Sequence, residues 1–166
     1  SAFNEFDERA RFIQRFLWAG LDDPSRLILN QLTATRSEHL RKYNDMDIAL
    51  DTYPYNGTTT TFQAILMGVP VLTLQGCSHV SRVSSSILHN LGLPELVALD
   101  QGAYISMASD LAQNPDRLLY YRQSLRKRLL ASALVDRVTF VRELEDFYRK
   151  AVASADQPFS KKDISP

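Results

Sequence analysis

Short aliphatic runs recur along this chain, and helical spacing follows each one. The runs are Arg26–Asn30, Asp47–Asp51, Val69–Leu74 and Leu96–Leu99. None alternates cleanly between apolar and polar residues, so each reads as a strand covered on both faces. Parallel sheets joined by crossover helices provide that cover. The expected fold is therefore α/β, a Rossmann-like parallel sheet with flanking helices. Four strands make a thin sheet, and further strands are expected upstream of Ser1.

Between and around the strands the spacing predicts helices. Phe6, Phe12, Ile13, Phe16 and Leu17 share one face of a helix over Phe3–Ala19, which Gly20 closes. A second helix opens at Thr35, where Thr35 and Glu38 have capping-box spacing. Others are expected at Thr58–Met67, ended by Gly68, and at His79–Asn90, Tyr104–Gln113, Pro115–Ala133 and Asp136–Ala155. The last carries Phe140, Leu144, Phe147, Tyr148 and Ala151 on one side. Residues 1–155 read as one domain and 156–166 as a polar tail.

Charge narrows the function. Lysine plus arginine number 19, as do aspartate plus glutamate. A chain without net positive charge is a poor nucleic-acid binder of the phosphate-neutralising kind. No apolar run approaches the ~20 residues of a membrane-spanning helix. One cysteine, Cys77, excludes an internal disulfide and a multi-cysteine zinc site. With a polar start and no signal peptide, the expectation is a cytoplasmic protein that binds neither nucleic acid nor membrane. The first residue is Ser1, so the chain is read as a piece of something longer.

In open parallel sheets, ligands sit beyond the C-terminal strand ends. The loops Asn30–Arg36, Asp51–Thr60 and Gln75–Arg82 are thus expected to line one crevice. Asn56-Gly57 followed by Thr58, Thr59, Thr60 and Thr61 is the most informative of them. Glycine permits close backbone approach, and threonine hydroxyls beside free first-turn N–H groups suit a phosphate or diphosphate. Thr60 and Gln63 also have capping-box spacing, which alone would explain two of these residues. Arg36, a cation at a helix start, suggests an anionic partner. His39 suits hydrogen bonding or stacking on a base. Asp51, at a strand's C-terminal end, is expected to pin the loop Thr52–Gly57 through backbone N–H groups. The pair Asp45 and Asp47 has a metal-binding spacing but lies at the wrong edge of the sheet. The serines Ser84–Ser86 read as close helix packing, and Cys77 does not read as a nucleophile.

Three ordered segments carry a family resemblance. They are Asp47–Thr61 (DIALDTYPYNGTTTT), Met67–Gly76 (MGVPVLTLQG) and Ser81–Ser86 (SRVSSS). Together they resemble glycosyltransferase family 41, the O-GlcNAc transferases, SPINDLY proteins and bacterial TPR-linked homologues. The resemblance implies a GT-B fold, with this chain as its nucleotide-binding C-terminal lobe. It implies backbone contacts from Ala34 to the base, Arg36 near the nucleotide and His39 packed on the uridine. It places Thr59 and Thr60 on the diphosphate, with Thr58 in the SPINDLY-like version of the motif. Gln63 stands where the family usually has an acidic residue bonded to ribose hydroxyls. An amide loses the charge-assisted bond, so a weaker or changed nucleotide is implied.

The function so implied is the donor-binding lobe of an inverting, metal-independent protein O-glycosyltransferase. UDP-GlcNAc is the expected donor and serine or threonine of an acceptor protein the target. The expectation includes no cofactor, no metal and no catalytic residue in this fragment, which alone is inactive. Its partners would be an upstream catalytic lobe and TPR repeats. GDP-fucose or UDP-glucose as donor, and a non-catalytic scaffold role, are the alternatives.

Overall fold

The computed structural model describes residues 6–155 and divides the chain into two compact units, Ser1–Asp45 and Met46–Pro166. In the first, helix α1 spans Phe6–Trp18 and sets the Phe12 and Phe16 rings against each other, tilted by 52° with centroids 5.1 Å apart. A short turn, Pro24–Arg26, is capped by Asp23, which accepts from the Ser25 amide at 2.9 Å. Helix α2, Arg36–Arg41, begins with the expected box: the Glu38 amide donates to Thr35 Oγ1 and the Thr35 amide to Glu38 Oε2, both at 3.2 Å.

The aliphatic run Arg26–Asn30 is not a strand. Its first residue ends the turn, the rest is irregular, and Ile28 is 78 % exposed. A strand exists only through its pairing. Among the described residues this unit contains no strand to pair with, so the apolar composition alone did not produce one.

The second unit holds the sheet. Strands β1 (Ala49–Leu50), β2 (Val71–Leu74) and β3 (Val97–Ala98) lie in the order β1-β2-β3, all parallel. Ala49 pairs with Val71, and Thr73 with Val97. Helix α3 (Thr59–Leu66) connects β1 to β2, and α4 (Val83–Asn90) connects β2 to β3. Helices α5 (Gln101–Ala112), α6 (Pro115–Leu130) and α7 (Arg137–Ala155) follow. The core is aliphatic: Ile65, Val69, Leu72, Leu88, Leu96, Leu111 and Leu125 are all buried. Burying a side chain of this size contributes roughly 1.5–3 kcal/mol. So the expected α/β architecture is present, with three parallel strands among the described residues rather than four.

Local chemistry fixes the ends. Asp100 caps α5 by accepting from the Ala103 amide at 2.8 Å, and Asn114 caps α6 by accepting from Arg117 at 3.0 Å. Gly68 ends α3 at φ +80°, and a Cβ there would lie 2.7 Å from the Arg122 carbonyl. Only glycine gives both the left-handed turn and that close approach of α3 to α6. Arg122 locks the same junction by donating to the Met67 carbonyl at 3.2 Å and to the Met46 carbonyl. Asp47, one of the two acidic residues with metal-like spacing, lies 4.0 Å from the same guanidinium. On α7, Phe140, Phe147 and Tyr148 are exposed.

Candidate donor-binding site

Asp51 sits at the C-terminal end of β1, where its backbone N–H still bonds the Leu72 carbonyl at 2.9 Å. Its carboxylate then organises the loop. One oxygen, Oδ1, accepts from the amides of Thr52 at 3.0 Å and Gly57 at 2.8 Å. The other, Oδ2, accepts from Thr73 Oγ1 at 2.7 Å. The loop-pinning role expected for Asp51 is thus observed, and it extends to the neighbouring strand. Tyr104 donates its hydroxyl to the Asp51 carbonyl at 3.0 Å. Burial, and secondarily the Asp51 charge, raise the pKa of that phenol above the ordinary tyrosine value.

Asn56 completes the brace. It is 2 % exposed; its Nδ2 donates to the Thr52 carbonyl at 3.0 Å and its amide to the Val80 carbonyl at 2.9 Å. The second bond ties this loop to the turn His79–Ser81 that follows β2. Asn56 Oδ1 is buried without a partner among the described residues. An unsatisfied buried acceptor costs about 1–3 kcal/mol, so this position demands a donor.

Helix α3 begins at Thr59, with Thr58 as the flanking residue and no side-chain cap. The capping box expected between Thr60 and Gln63 is absent, because Thr60 is already the second helical residue. Thr61 anchors the first turn instead. Its hydroxyl donates back to the Gly57 carbonyl at 3.0 Å and lies 2.9 Å from Ser84 Oγ. Ser84 Oγ donates to the same carbonyl at 2.9 Å. The fourth threonine is therefore structural and buried, while Thr58, Thr59 and Thr60 are exposed. Their hydroxyls have no hydrogen-bond partner among the described residues. The first amides of α3 point out of the helix with no helical carbonyl to accept them. A Cβ on Gly57 would collide with the hydroxyls of Thr60 and Thr61, so the backbone here must stay bare.

Thr58, Thr59, Thr60 and the half-buried Gln63 thus belong to one helix start in the second unit. Ala34, Arg36 and His39 belong to the first unit. Ala34 and Arg36 are exposed, and Arg36 is the first residue of α2. His39 is half-buried and meets the Tyr43 ring edge-on at 5.7 Å between centroids. The loop Gln75–Arg82 is joined to Asp51–Thr60 by the Asn56–Val80 bond. It carries further bonds that sequence reading missed: Ser85 donates to Gln75 Oε1 at 2.5 Å, and Ser78 and Ser81 bond each other at 2.9 Å. The run Ser84–Ser86 was a signal for the first of these contacts. Ser81 and Ser78 also hold a tight turn, His79–Ser81, so α4 starts at Val83 and not at His79.

A bare glycine followed by exposed hydroxyls and open amides is a general anion cradle. The relatives of the chain narrow it. The profile of Glycosyl transferase family 41 matches residues 9–144. Rice has a relative 40 % identical over 141 residues, 85 % of this chain and 15 % of that protein. It is described as a probable UDP-N-acetylglucosamine–peptide N-acetylglucosaminyltransferase SPINDLY. A Caenorhabditis elegans UDP-N-acetylglucosamine–peptide N-acetylglucosaminyltransferase is 36 % identical over 124 residues, 75 % of this chain and 11 % of that one. Among solved structures, a mutant of the Thermobaculum terrenum O-GlcNAc transferase superposes with a TM-score of 0.81 at 38 % identity. That match covers 88 % of this chain and 28 % of the other. The chain therefore spans about 15 % of the length of its curated plant relatives. On profile, identity and superposition alike, the chain belongs to glycosyltransferase family 41.

Proposed function

We propose that residues 1–155 are the nucleotide-sugar-binding lobe of a protein O-glycosyltransferase, with a UDP-sugar as donor and a serine or threonine hydroxyl as acceptor. The observation that carries this reading is the start of α3. Three exposed threonines and their open amides follow a glycine that must stay bare, at the C-terminal end of a parallel strand. The names of the relatives supply the donor class.

In this reading the diphosphate rests on Thr58, Thr59 and Thr60. Ala34 meets the base by its backbone, His39 packs on it, Arg36 lies near the nucleotide, and Gln63 accepts from a ribose hydroxyl. The acceptor hydroxyl attacks the anomeric carbon with inversion, and the C–O bond to the diphosphate breaks. Negative charge then gathers on the departing phosphate. N–H groups and hydroxyls already aimed there stabilise it without reorganising, in a mechanism that uses no metal. The whole enzyme, in a cytoplasmic setting, would add a second lobe and TPR repeats, and the isolated lobe would transfer no sugar.

Titrating UDP and GDP separately into the chain while following backbone amide resonances tests the reading. UDP should shift the amides of Thr59, Thr60 and Thr61 most. Preferential binding of GDP would move the donor to a GDP-sugar such as GDP-fucose. Silence with both nucleotides would remove the phosphate role.

A further inference from the structure

Helix α4 begins with a charge in an unfavourable place. Arg82 occupies its N-cap position, and no side chain caps the helix. A guanidinium offers no acceptor to the free amides of a first turn, and a cation opposes the positive end of the helix dipole. Arg82 is exposed. Among the described residues its side chain makes no hydrogen bond, ion pair or ring contact.

The fold nevertheless holds this residue firmly, beside the segment that leads into α3. Two positions before it, the Val80 carbonyl accepts from the Asn56 amide at 2.9 Å. Two positions after it, Ser84 Oγ donates to the Gly57 carbonyl at 2.9 Å. Its own amide donates to the His79 carbonyl at 3.0 Å. Asn56 and Gly57 run directly into Thr58. The Arg82 backbone is thus strapped on both sides to the stretch that delivers the exposed threonines. The starts of α3 and α4 converge there, and neither has a side-chain cap. Asp51, the carboxylate of this neighbourhood, does not answer the charge, because Thr52, Gly57 and Thr73 already occupy it. Two uncapped helix starts and one guanidinium leave a positive potential that an anion would balance.

We infer that Arg82 pairs with the donor's diphosphate, as a cation contributed by the loop after β2. On the donor-lobe reading, on which this rests, Thr58, Thr59 and Thr60 offer hydroxyls and amides, all of them neutral donors. Arginine adds a full charge and a planar fork of N–H groups that fits two phosphate oxygens at once. It forms no bond to carbon and gives up no proton; it meets the charge that gathers on the departing diphosphate. The same guanidinium strains the empty lobe, and the ligand relieves that strain.

Calorimetric titration of UDP into this chain and its R82K and R82Q variants, beside thermal melts of the ligand-free proteins, tests the pairing. R82Q should bind UDP at least about 10-fold more weakly, the scale of a lost charge-assisted bond, with R82K between the two. Ligand-free R82Q should melt at or above the wild-type temperature, because the repulsion at the start of α4 is gone. An arginine that served only the fold would lower both quantities when replaced. UDP affinity in R82Q within about threefold of wild type would overturn the role of Arg82. So would equal losses of affinity in R82K and R82Q accompanied by lower melting temperatures. A wild-type chain that binds no UDP would instead overturn the donor-lobe reading, and the pairing with it.

Discussion

Thr61 Oγ1 and Ser84 Oγ lie 2.9 Å apart, and both reach the carbonyl of Gly57. Two protons serve three contacts, so each hydroxyl can substitute for the other at the carbonyl. Residues 23 positions apart thereby clamp the start of α3 to α4.

That redundancy has a measurable signature. Ser84→Ala or Thr61→Val alone should destabilise the chain by about 1 kcal/mol, since the carbonyl keeps one donor. The double variant strands a buried acceptor and should exceed the sum by about 0.5–3 kcal/mol. Urea denaturation of the four proteins measures this, and strict additivity would show that the carbonyl finds another partner.

The exposed threonines should behave in the opposite way. Thr59→Val and Thr60→Val keep shape and remove only hydroxyls that bond nothing among the described residues. Stability should change by less than about 0.5 kcal/mol. Each hydrogen bond to a charged phosphate is worth about 1.5–3 kcal/mol, so UDP affinity should drop at least about 10-fold per hydroxyl. Calorimetric titration beside thermal melts distinguishes the two effects.

Gly68→Ala should be among the most disruptive single changes of a surface-remote residue. Alanine is strained at φ +80°, and its methyl would press on the Arg122 carbonyl, a backbone atom that cannot rotate away. The loss should be at least about 1–3 kcal/mol. A melting temperature equal to wild type would mean that α6 slides freely against α3.

Three tyrosines set an alkaline limit. Burial raises the pKa of Tyr43, Tyr104 and Tyr121 above the ordinary 10.0, with the Asp51 charge adding at Tyr104. At Tyr121 the Arg117 hydrogen bond partly opposes the rise. A raised folded pKa means that the folded chain holds the proton more tightly than the unfolded chain does. Stability from these groups is whole below the unfolded value and falls as pH climbs through the folded one. Denaturation midpoints should therefore decline above pH 10.0, with phenolate absorbance from these residues appearing late. Tyr104→Phe should blunt the decline.

The sheet was legible where aliphatic runs meet partners. Val71–Leu74 is a strand because β1 and β3 flank it. Arg26–Asn30 has similar composition and is none, because composition records hydrophobicity and not the presence of a neighbour. Asp51 was legible since a carboxylate at a strand end before a tight loop has few other uses. The helix expected from Thr58 starts at Thr59; what failed is the cap, for which Thr60 and Gln63 have the right spacing. What overrides the spacing is Ser84, a residue far along the chain that only the fold brings to Gly57. Motif spacing is local information, and the choice among four threonines was decided by a tertiary contact.

No brace of the loop after β1 uses the side chain of Tyr53 or Tyr55 among the described residues; Asp51, Thr52 and Asn56 make them, with Tyr104 holding the Asp51 carbonyl. Positions 53 and 55 can therefore change identity at little expense to the scaffold that aims the threonines. Surface exchange at these two positions leaves the start of α3 and its exposed threonines undisturbed.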